Sequence, residues 1–190
     1  MRLPRIIKPD DFLQLLSVIR KPAYQLCFQL MYFCGLRLSE AVSLPVKAID
    51  SERMVLRIIG KGDKEQFIPF PEALLKPMRD LWKTHRNDMW LFPARHGLSH
   101  IHPTALGTAF RMAREVANID PKVTPHSLRH SFATRLIESG VEIGAVQLLL
   151  RHSSIQSTMI YMHLTEPLRQ DIHKKINFLC DSLLKEGGIK

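Results

Sequence analysis

Apolar residues recur at helical spacing over most of this chain. The first such stretch, "KPDDFLQLLSVI", places a proline and two acids where the first turn of a helix favours them. A second helix is predicted from about Pro22 to Cys34, and Gly35 ends it. Because "LRLSEAVSL" then resumes the helical spacing, Arg37 is predicted to lie at the corner between two helices.

One segment has the pattern of a β-hairpin. In "RMVLRIIGKGDKEQFIPF", two runs rich in Val, Ile and Phe flank a polar turn that contains Gly60, Gly62 and Asp63. The rest of the chain is predicted to be helical, with candidate helices at about 72–86, 103–118, 125–139, 142–151, 154–163 and 167–185. The predicted fold class is therefore mainly α with a small antiparallel β-sheet, an α+β fold.

The composition narrows the range of partners. At 190 residues the chain fits one domain of ordinary size. Its 27 lysines and arginines outnumber 18 acids, and the formal charge of +9 favours a polyanion such as nucleic acid.

No membrane span or secretory signal is predicted, since the apolar stretch "AYQLCFQLMYFCGL" is short and interrupted by glutamine. Three cysteines without a CxxC pair indicate neither a disulfide framework nor a zinc knuckle, which fits a reducing cytoplasmic compartment.

The segment "PHSLRHSFATRL", residues 125–136, opens a predicted helix with His126, Arg129 and His130 on one face. The two histidines have the spacing of a zinc-binding HExxH helix, but Ser127 stands where that motif needs a glutamate as general base. A helix start also attracts anions, and a guanidinium binds phosphate with two hydrogen bonds. His126 and Arg129 therefore indicate a phosphate site, unless the stretch is an ordinary capped helix with a surface arginine.

Five blocks of the sequence, taken together, resemble a known family. They are "CGLRLSEAVSL", "IIGKGDKEQFIPF", "TPHSLRHSFATRLIESG", "VQLLLRHSSIQST" and "IYMHL". Their order resembles the catalytic domain of the tyrosine recombinases, the phage-integrase family that includes the Xer recombinases and integron integrases. The resemblance extends from about Leu3 to Leu164. It implies a site-specific DNA recombinase that breaks and rejoins strands through a covalent 3′-phosphotyrosyl intermediate, with no metal or other cofactor.

The resemblance also assigns the catalytic residues, which are Arg37, Lys61, His126, Arg129, His152 and Tyr161. The two arginines correspond to those that clamp the scissile phosphate, the lysine to one on the hairpin, and the tyrosine to the nucleophile. By its own surroundings Tyr161 has the pattern of an ordinary amphipathic tyrosine. Its assignment therefore depends on the resemblance.

Four further residues have supporting or open roles. Lys64 competes with the preceding lysine of the same turn and is a candidate for DNA contact. Glu40 is either a helix-surface acid or the residue that orients Arg37, and His130 is predicted to support or pack rather than to catalyse. Arg151 stands where typical members of the family have a glycine. Either the turn adjusts to this change or Arg151 contacts a phosphate.

The predicted domain organisation has three parts. Residues 1–8 resemble a linker, residues 9–165 a tyrosine recombinase catalytic domain, and residues 166–190 a C-terminal helix and tail. No N-terminal core-binding domain, which most relatives carry, is expected before them. The apolar positions of the tail recur at helical spacing, so this helix packs on its own domain or docks on a neighbouring subunit.

The expected partner is double-stranded DNA. The resemblance further implies self-association into a tetramer on DNA through the C-terminal helix, together with accessory proteins that bend the DNA. Two alternatives stay open from the sequence: a noncatalytic or remnant DNA-binding accessory protein, and DNA relaxation of the type IB topoisomerase kind.

Overall fold

The sequence folds as helices packed on one small β-sheet. The computed structural model describes residues 5–59, 65–150 and 166–186. The α-helices of these residues are α1 (Pro9–Val18), α2 (Pro22–Cys34), α3 (Leu38–Val42), α4 (Leu75–His85), α5 (Pro103–Val116), α6 (Pro125–Glu138), α7 (Ile143–Leu150) and α8 (Glu166–Glu186). Short 3-10 helices lie at Val46–Ala48 and Glu72–Leu74. The predicted class, mainly α with a small antiparallel sheet, is confirmed.

The sheet contains the predicted hairpin and one additional short strand. Its strands are β1 (Ile49–Asp50), β2 (Val55–Ile59) and β3 (Glu65–Pro69), which lie in that order and pair antiparallel. The register places Ile58 opposite Gln66 and Leu56 opposite Ile68. The sequence did not predict β1, because two residues are too few to produce an alternating pattern.

Helix α2 lies at the centre of the hydrophobic core. Nearly all of its residues from Leu26 onwards are buried, as expected of a helix that is apolar on every side. Phe28 packs edge-to-face on Phe110 of α5, and Tyr32 stacks on Phe12 of α1 with ring centroids 3.9 Å apart. Helix α2 also contacts α3, α6 and α8, so it connects the elements that surround the site.

Both ends of the described chain pack onto this core. Ile7, in the segment predicted to be a linker, is buried, and its backbone N–H donates to Oγ of Ser131 on α6 at 2.9 Å. In α8, a stripe of apolar residues is buried against the rest of the same chain: Ile172, Ile176, Cys180 and Leu183. None of the helices in the described ranges is long and apolar enough to cross a membrane.

Most predicted helices occur within a few residues of their expected bounds. The exception is the start of the helix predicted at 72–86, where a 3-10 turn precedes α4. Residues 86–102 are irregular, and Asn87 holds them together by accepting from the backbone N–H groups of Met89 and Trp90 and donating to the Gly97 carbonyl. The helix predicted at 154–163 lies outside the described residues.

Candidate active site

The corner between α2 and α3 is built on Gly35. This residue has a φ of 66°, in the left-handed region that ends helices and that glycine adopts without strain. A Cβ at this position would lie 2.5 Å from Cδ1 of Phe132 on α6 and 3.0 Å from Cδ2 of Leu150 on α7. The absence of a side chain therefore lets three elements, the α2–α3 corner, α6 and α7, meet at one point.

Helix α6 begins as its sequence predicts, with Pro125 in the first helical position after Thr124. The Thr124 N–H donates to Oγ of Ser127 at 3.1 Å, which ties the residue before the helix to its first turn. His126 is exposed in this first turn, whereas Arg129, one turn later, is 5% exposed. Of the two residues of α6 predicted to bind phosphate, His126 therefore lies at the surface and Arg129 is buried.

Backbone carbonyls hold the buried guanidinium of Arg129. Its Nη1 donates to the carbonyl oxygen of Gly35 at 2.5 Å, and its Nη2 donates to the carbonyl oxygen of Leu150. These carbonyls belong to the α2–α3 corner and to the last residue of α7. Because the guanidinium is planar and its N–H groups point in set directions, two such anchors restrict its orientation.

Glu40 brings the two predicted phosphate-binding arginines together. Its Oε2 accepts from the Arg37 backbone N–H at 2.9 Å, and its Oε1 accepts from Arg37 Nη1 at 2.8 Å. The same Oε2 lies 3.9 Å from Nη1 of Arg129. Of the two readings of Glu40 left open by the sequence, orientation of Arg37 matches these contacts, and the carboxylate also offsets part of the charge on two neighbouring cations.

The arginine pair is partly open to solvent. The Arg37 side chain is 38% exposed, while those of Glu40 and Arg129 are 13% and 6% exposed. Arg37 is therefore the more accessible of the two cations to an anion from solvent. Paired guanidinium groups can stabilise negative charge that develops on a bound phosphate.

The structure places only part of the predicted site. Arg37, Glu40, His126, Arg129 and His130 lie in the described residues, and His130 is half-buried on α6. The remaining predictions fall outside the described residues: Lys61, Lys64, Arg151, His152 and Tyr161. Their roles stay predictions.

Sequence reasoning missed Gln66 of β3. Its Nε2 donates to the carbonyl oxygens of Leu148 and Leu149 in the last turn of α7, at 2.6 and 3.2 Å. The signal available in the sequence was a polar residue at a position that strand alternation places on the same face as the buried Ile68.

The three cysteines of the chain lie in the described residues and are buried in the core. Cys27, Cys34 and Cys180 are free and buried. Burial raises the pKa of the Cys180 thiol to about 12, so this thiol is protonated at neutral pH and is a poor nucleophile. Within the described part of the chain, no group of three or more His, Cys, Asp or Glu side chains could hold a metal ion.

Comparison with known families identifies the chain. The Phage integrase family matches residues 5–167, and the chain belongs to this family. The resemblance inferred from five sequence blocks is therefore confirmed.

Two relatives illustrate the similarity. A putative integrase/recombinase, y4qK, of Sinorhizobium fredii is 38% identical over 164 residues, which cover 86% of this chain and 53% of the relative. Tyrosine recombinase XerD of Caulobacter vibrioides is 35% identical over 176 residues, covering 85% and 58% of the two chains. The chain thus spans little more than half the length of these relatives.

Solved structures share the fold. An integrase from mycobacterium phage Brujita has a TM-score of 0.75 at 25% identity, with coverage of 93% of this chain and 58% of that one. The XerH site-specific recombinase, in a structure with its difH substrate, has a TM-score of 0.72 at 23% identity, with coverage of 90% and 54%. Identity at this level supports the architecture.

Proposed function

We propose that this chain is the catalytic part of a site-specific DNA recombinase, which breaks and rejoins strands through a 3′-phosphotyrosyl intermediate. The observation that carries the proposal is the convergence of Arg37 and Arg129 on Glu40, which forms a cationic site partly open to solvent. Membership of the Phage integrase family and the likeness to proteins named tyrosine recombinases support it. The excess of basic residues fits DNA as the partner.

The proposed reaction is a transesterification with no net change in phosphodiester bonds. The hydroxyl oxygen of Tyr161 attacks a backbone phosphorus, the bond from phosphorus to the 5′-oxygen breaks, and the tyrosine becomes linked to the 3′-phosphate. Negative charge grows on the nonbridging oxygens during attack, and Arg37 and Arg129 offset it with hydrogen bonds. Attack by the freed 5′-hydroxyl of a partner strand reverses these steps, so rejoining needs no nucleotide.

Proton transfer falls to three other residues in the proposal. Lys61 donates a proton to the leaving 5′-oxygen, as general acid. His126 accepts the tyrosine proton or passes it on, a role that imidazole often takes in catalysis. His152 adds a hydrogen-bond donor to the nonbridging oxygens. Lys64 and Arg151 are proposed contacts to flanking phosphates.

The proposed function also includes assembly on DNA. The related XerH recombinase has been solved bound to its difH substrate, which supports double-stranded DNA as the partner here. A tetramer on DNA and accessory DNA-bending proteins remain part of the proposal. Because the apolar stripe of α8 is buried on its own chain, a tetramer built through this helix requires the stripe to leave that position.

The test is a DNA duplex with a nick beside the cleavage site, so that the cleaved fragment diffuses away and a covalent adduct accumulates. We expect wild-type protein to form the adduct and Tyr161→Phe to form none. Arg37→Ala and Arg129→Ala are expected to slow adduct formation by about 10²–10³ each, with far-ultraviolet circular dichroism unchanged.

Three outcomes count against the proposal. Specific DNA binding by a wild-type protein that forms no adduct favours a noncatalytic DNA-binding protein. An adduct that persists in Tyr161→Phe assigns another nucleophile. Relaxation of supercoiled DNA without recombinant product from two sites favours a topoisomerase.

A further inference from the structure

The end of α7 is held by side chains from two other elements. Here the carbonyls of Leu148 and Leu149 accept from the amide of Gln66, and that of Leu150 accepts from Arg129. Gln66 of the sheet and Arg129 of α6 therefore bind successive carbonyl groups of the same helix.

From these contacts we infer that Gln66 is a positioning residue for Arg129. Gln66 sets the last turn of α7 against β3, and this turn presents the Leu150 carbonyl that orients the guanidinium. Loss of the Gln66 amide removes two hydrogen bonds between β3 and this turn, so the turn shifts and the anchor of Arg129 shifts with it. The inference rests on the proposed function, in which Arg129 offsets charge on the scissile phosphate.

The amide of Gln66 is a polar group in partly buried surroundings. It lies on the face of β3 that also carries the fully buried Ile68, where an apolar side chain would pack without any polar atom to satisfy. Its Oε1 is buried and, among the described residues, accepts no hydrogen bond. Among the described residues, the hydrogen bonds that fix this amide are therefore those of its Nε2 group.

A role in positioning Arg129 has a specific kinetic signature. In a methylphosphonate linkage, a methyl group replaces one charged nonbridging oxygen, so less negative charge needs to be offset by arginine. A variant that disturbs Arg129 should lose more activity on the natural phosphodiester than on the methylphosphonate. A variant that merely lowers the amount of folded protein loses the same factor on both.

The experiment measures single-turnover adduct formation with the full chain on both nicked substrates. We expect Gln66→Met, which keeps the size but not the donor, to slow phosphodiester cleavage by about 10- to 100-fold, since small misplacements of catalytic groups cost this much. On the methylphosphonate we expect a loss within about threefold, the same direction of selectivity as Arg129→Ala. Gln66→Glu, which also lacks an N–H donor, should behave in the same way.

Gln25 supplies a matched control. Its Nε2 likewise donates to two carbonyls at the end of a helix, those of Leu16 and Ile19 at 3.1 and 2.7 Å, but this helix is α1. Gln25→Met removes the same pair of contacts away from Arg129. We expect its rates on both substrates to stay within about twofold of wild type, since mutations away from the site act through stability.

Each other outcome overturns the inference. Equal losses of the Gln66 variants on both substrates, or no loss, leave Gln66 without a role in positioning Arg129. If both variants fail to fold by circular dichroism, Gln66 is a structural residue. A wild-type protein that cleaves neither substrate overturns the proposed function itself, and this result is visible before any variant is compared.

Discussion

Both the backbone conformation and the packing at position 35 require a glycine. Its φ of 66° favours glycine, and the place of a Cβ is taken by the ring of Phe132. Its carbonyl also accepts from Arg129. A side chain here would therefore move α6, the helix that carries Arg129, away from the corner that carries Arg37.

The first prediction compares Gly35→Ala with Gly140→Ala. Gly140 also has a positive φ, of 85°, but in the described part of the chain no heavy atom beyond its own and its chain neighbours' lies within 4 Å of its Cβ position. Gly140→Ala is expected to cost roughly 1 kcal/mol in the free energy of unfolding, from backbone strain. Gly35→Ala is expected to cost roughly 1–3 kcal/mol more, from the clash with Phe132.

Urea denaturation of the two variants measures this difference. Gly35→Ala should also slow adduct formation in protein that remains folded, whereas Gly140→Ala should leave the rate unchanged. Equal losses of stability in the two variants would show that the close approach of Phe132 is not a constraint.

The residue types of the site were predictable, but their contacts were not. Arg37, His126 and Arg129 were identified from their spacing and their resemblance to family blocks. The acceptors of Arg129 are backbone carbonyls 94 and 21 residues away along the chain, and one of them belongs to a leucine. A carbonyl carries no sequence signal, because every residue has one.

Among the elements, α8 joins the fold through both apolar and polar contacts. Its buried stripe faces the core, the Asn177 Oδ1 accepts from the Glu72 backbone N–H at 2.9 Å, and His173 Nε2 lies 3.2 Å from the Phe70 carbonyl oxygen. Phe178, on another face of the helix, is 71% exposed. The helix is thus held on its own chain along one side.

The second prediction tests this packing with Ile176→Ala and Phe178→Ala. Removing the buried Ile176 side chain is expected to lower the free energy of unfolding by about 2–5 kcal/mol. The exposed phenylalanine serves as the control, with an expected change within about 0.5 kcal/mol.

The denaturation midpoint of wild type should not depend on protein concentration. A midpoint that rises with concentration would indicate that the stripe is buried between copies of the chain.

Predicted elements with long periodic patterns were confirmed, and the errors have physical causes. α1, α2 and α6 begin with proline in the first turn and carry apolar residues at helical spacing, so local sequence is enough to predict them. The strand β1 is too short to show a period. Residues 86–102 are ordered by long-range pairing, including the Pro45–Trp90 bridge, which local patterns do not show.

For the whole molecule, the formal charge of +9 predicts how DNA binding responds to salt. The third prediction is that the logarithm of the binding constant falls linearly with the logarithm of salt concentration, by about 0.9 per phosphate contact. Arg37→Ala should reduce this slope by about 1, because in the proposed site it removes one phosphate contact. Lys76, which pairs with Asp80 on α4, supplies a control, and Lys76→Ala should leave the slope unchanged.

Fluorescence anisotropy with a labelled duplex between 50 and 200 mM salt, about the range where such contacts weaken strongly, measures both slopes. An affinity that does not depend on salt would contradict an electrostatic interface. If Lys76→Ala reduces the slope as much as Arg37→Ala does, Arg37 contributes no more to DNA binding than an ordinary surface cation.

The sequence by itself determined the family, the fold class and the residue types of the predicted chemistry. These depend on local periodicity and on short ordered motifs, which can be read directly along the chain. Only the tertiary structure decided that Glu40 joins the two arginines and that the end of α7 links Gln66 to Arg129. Such contacts depend on the distances between packed elements, and these distances are set by the whole core rather than by any single segment.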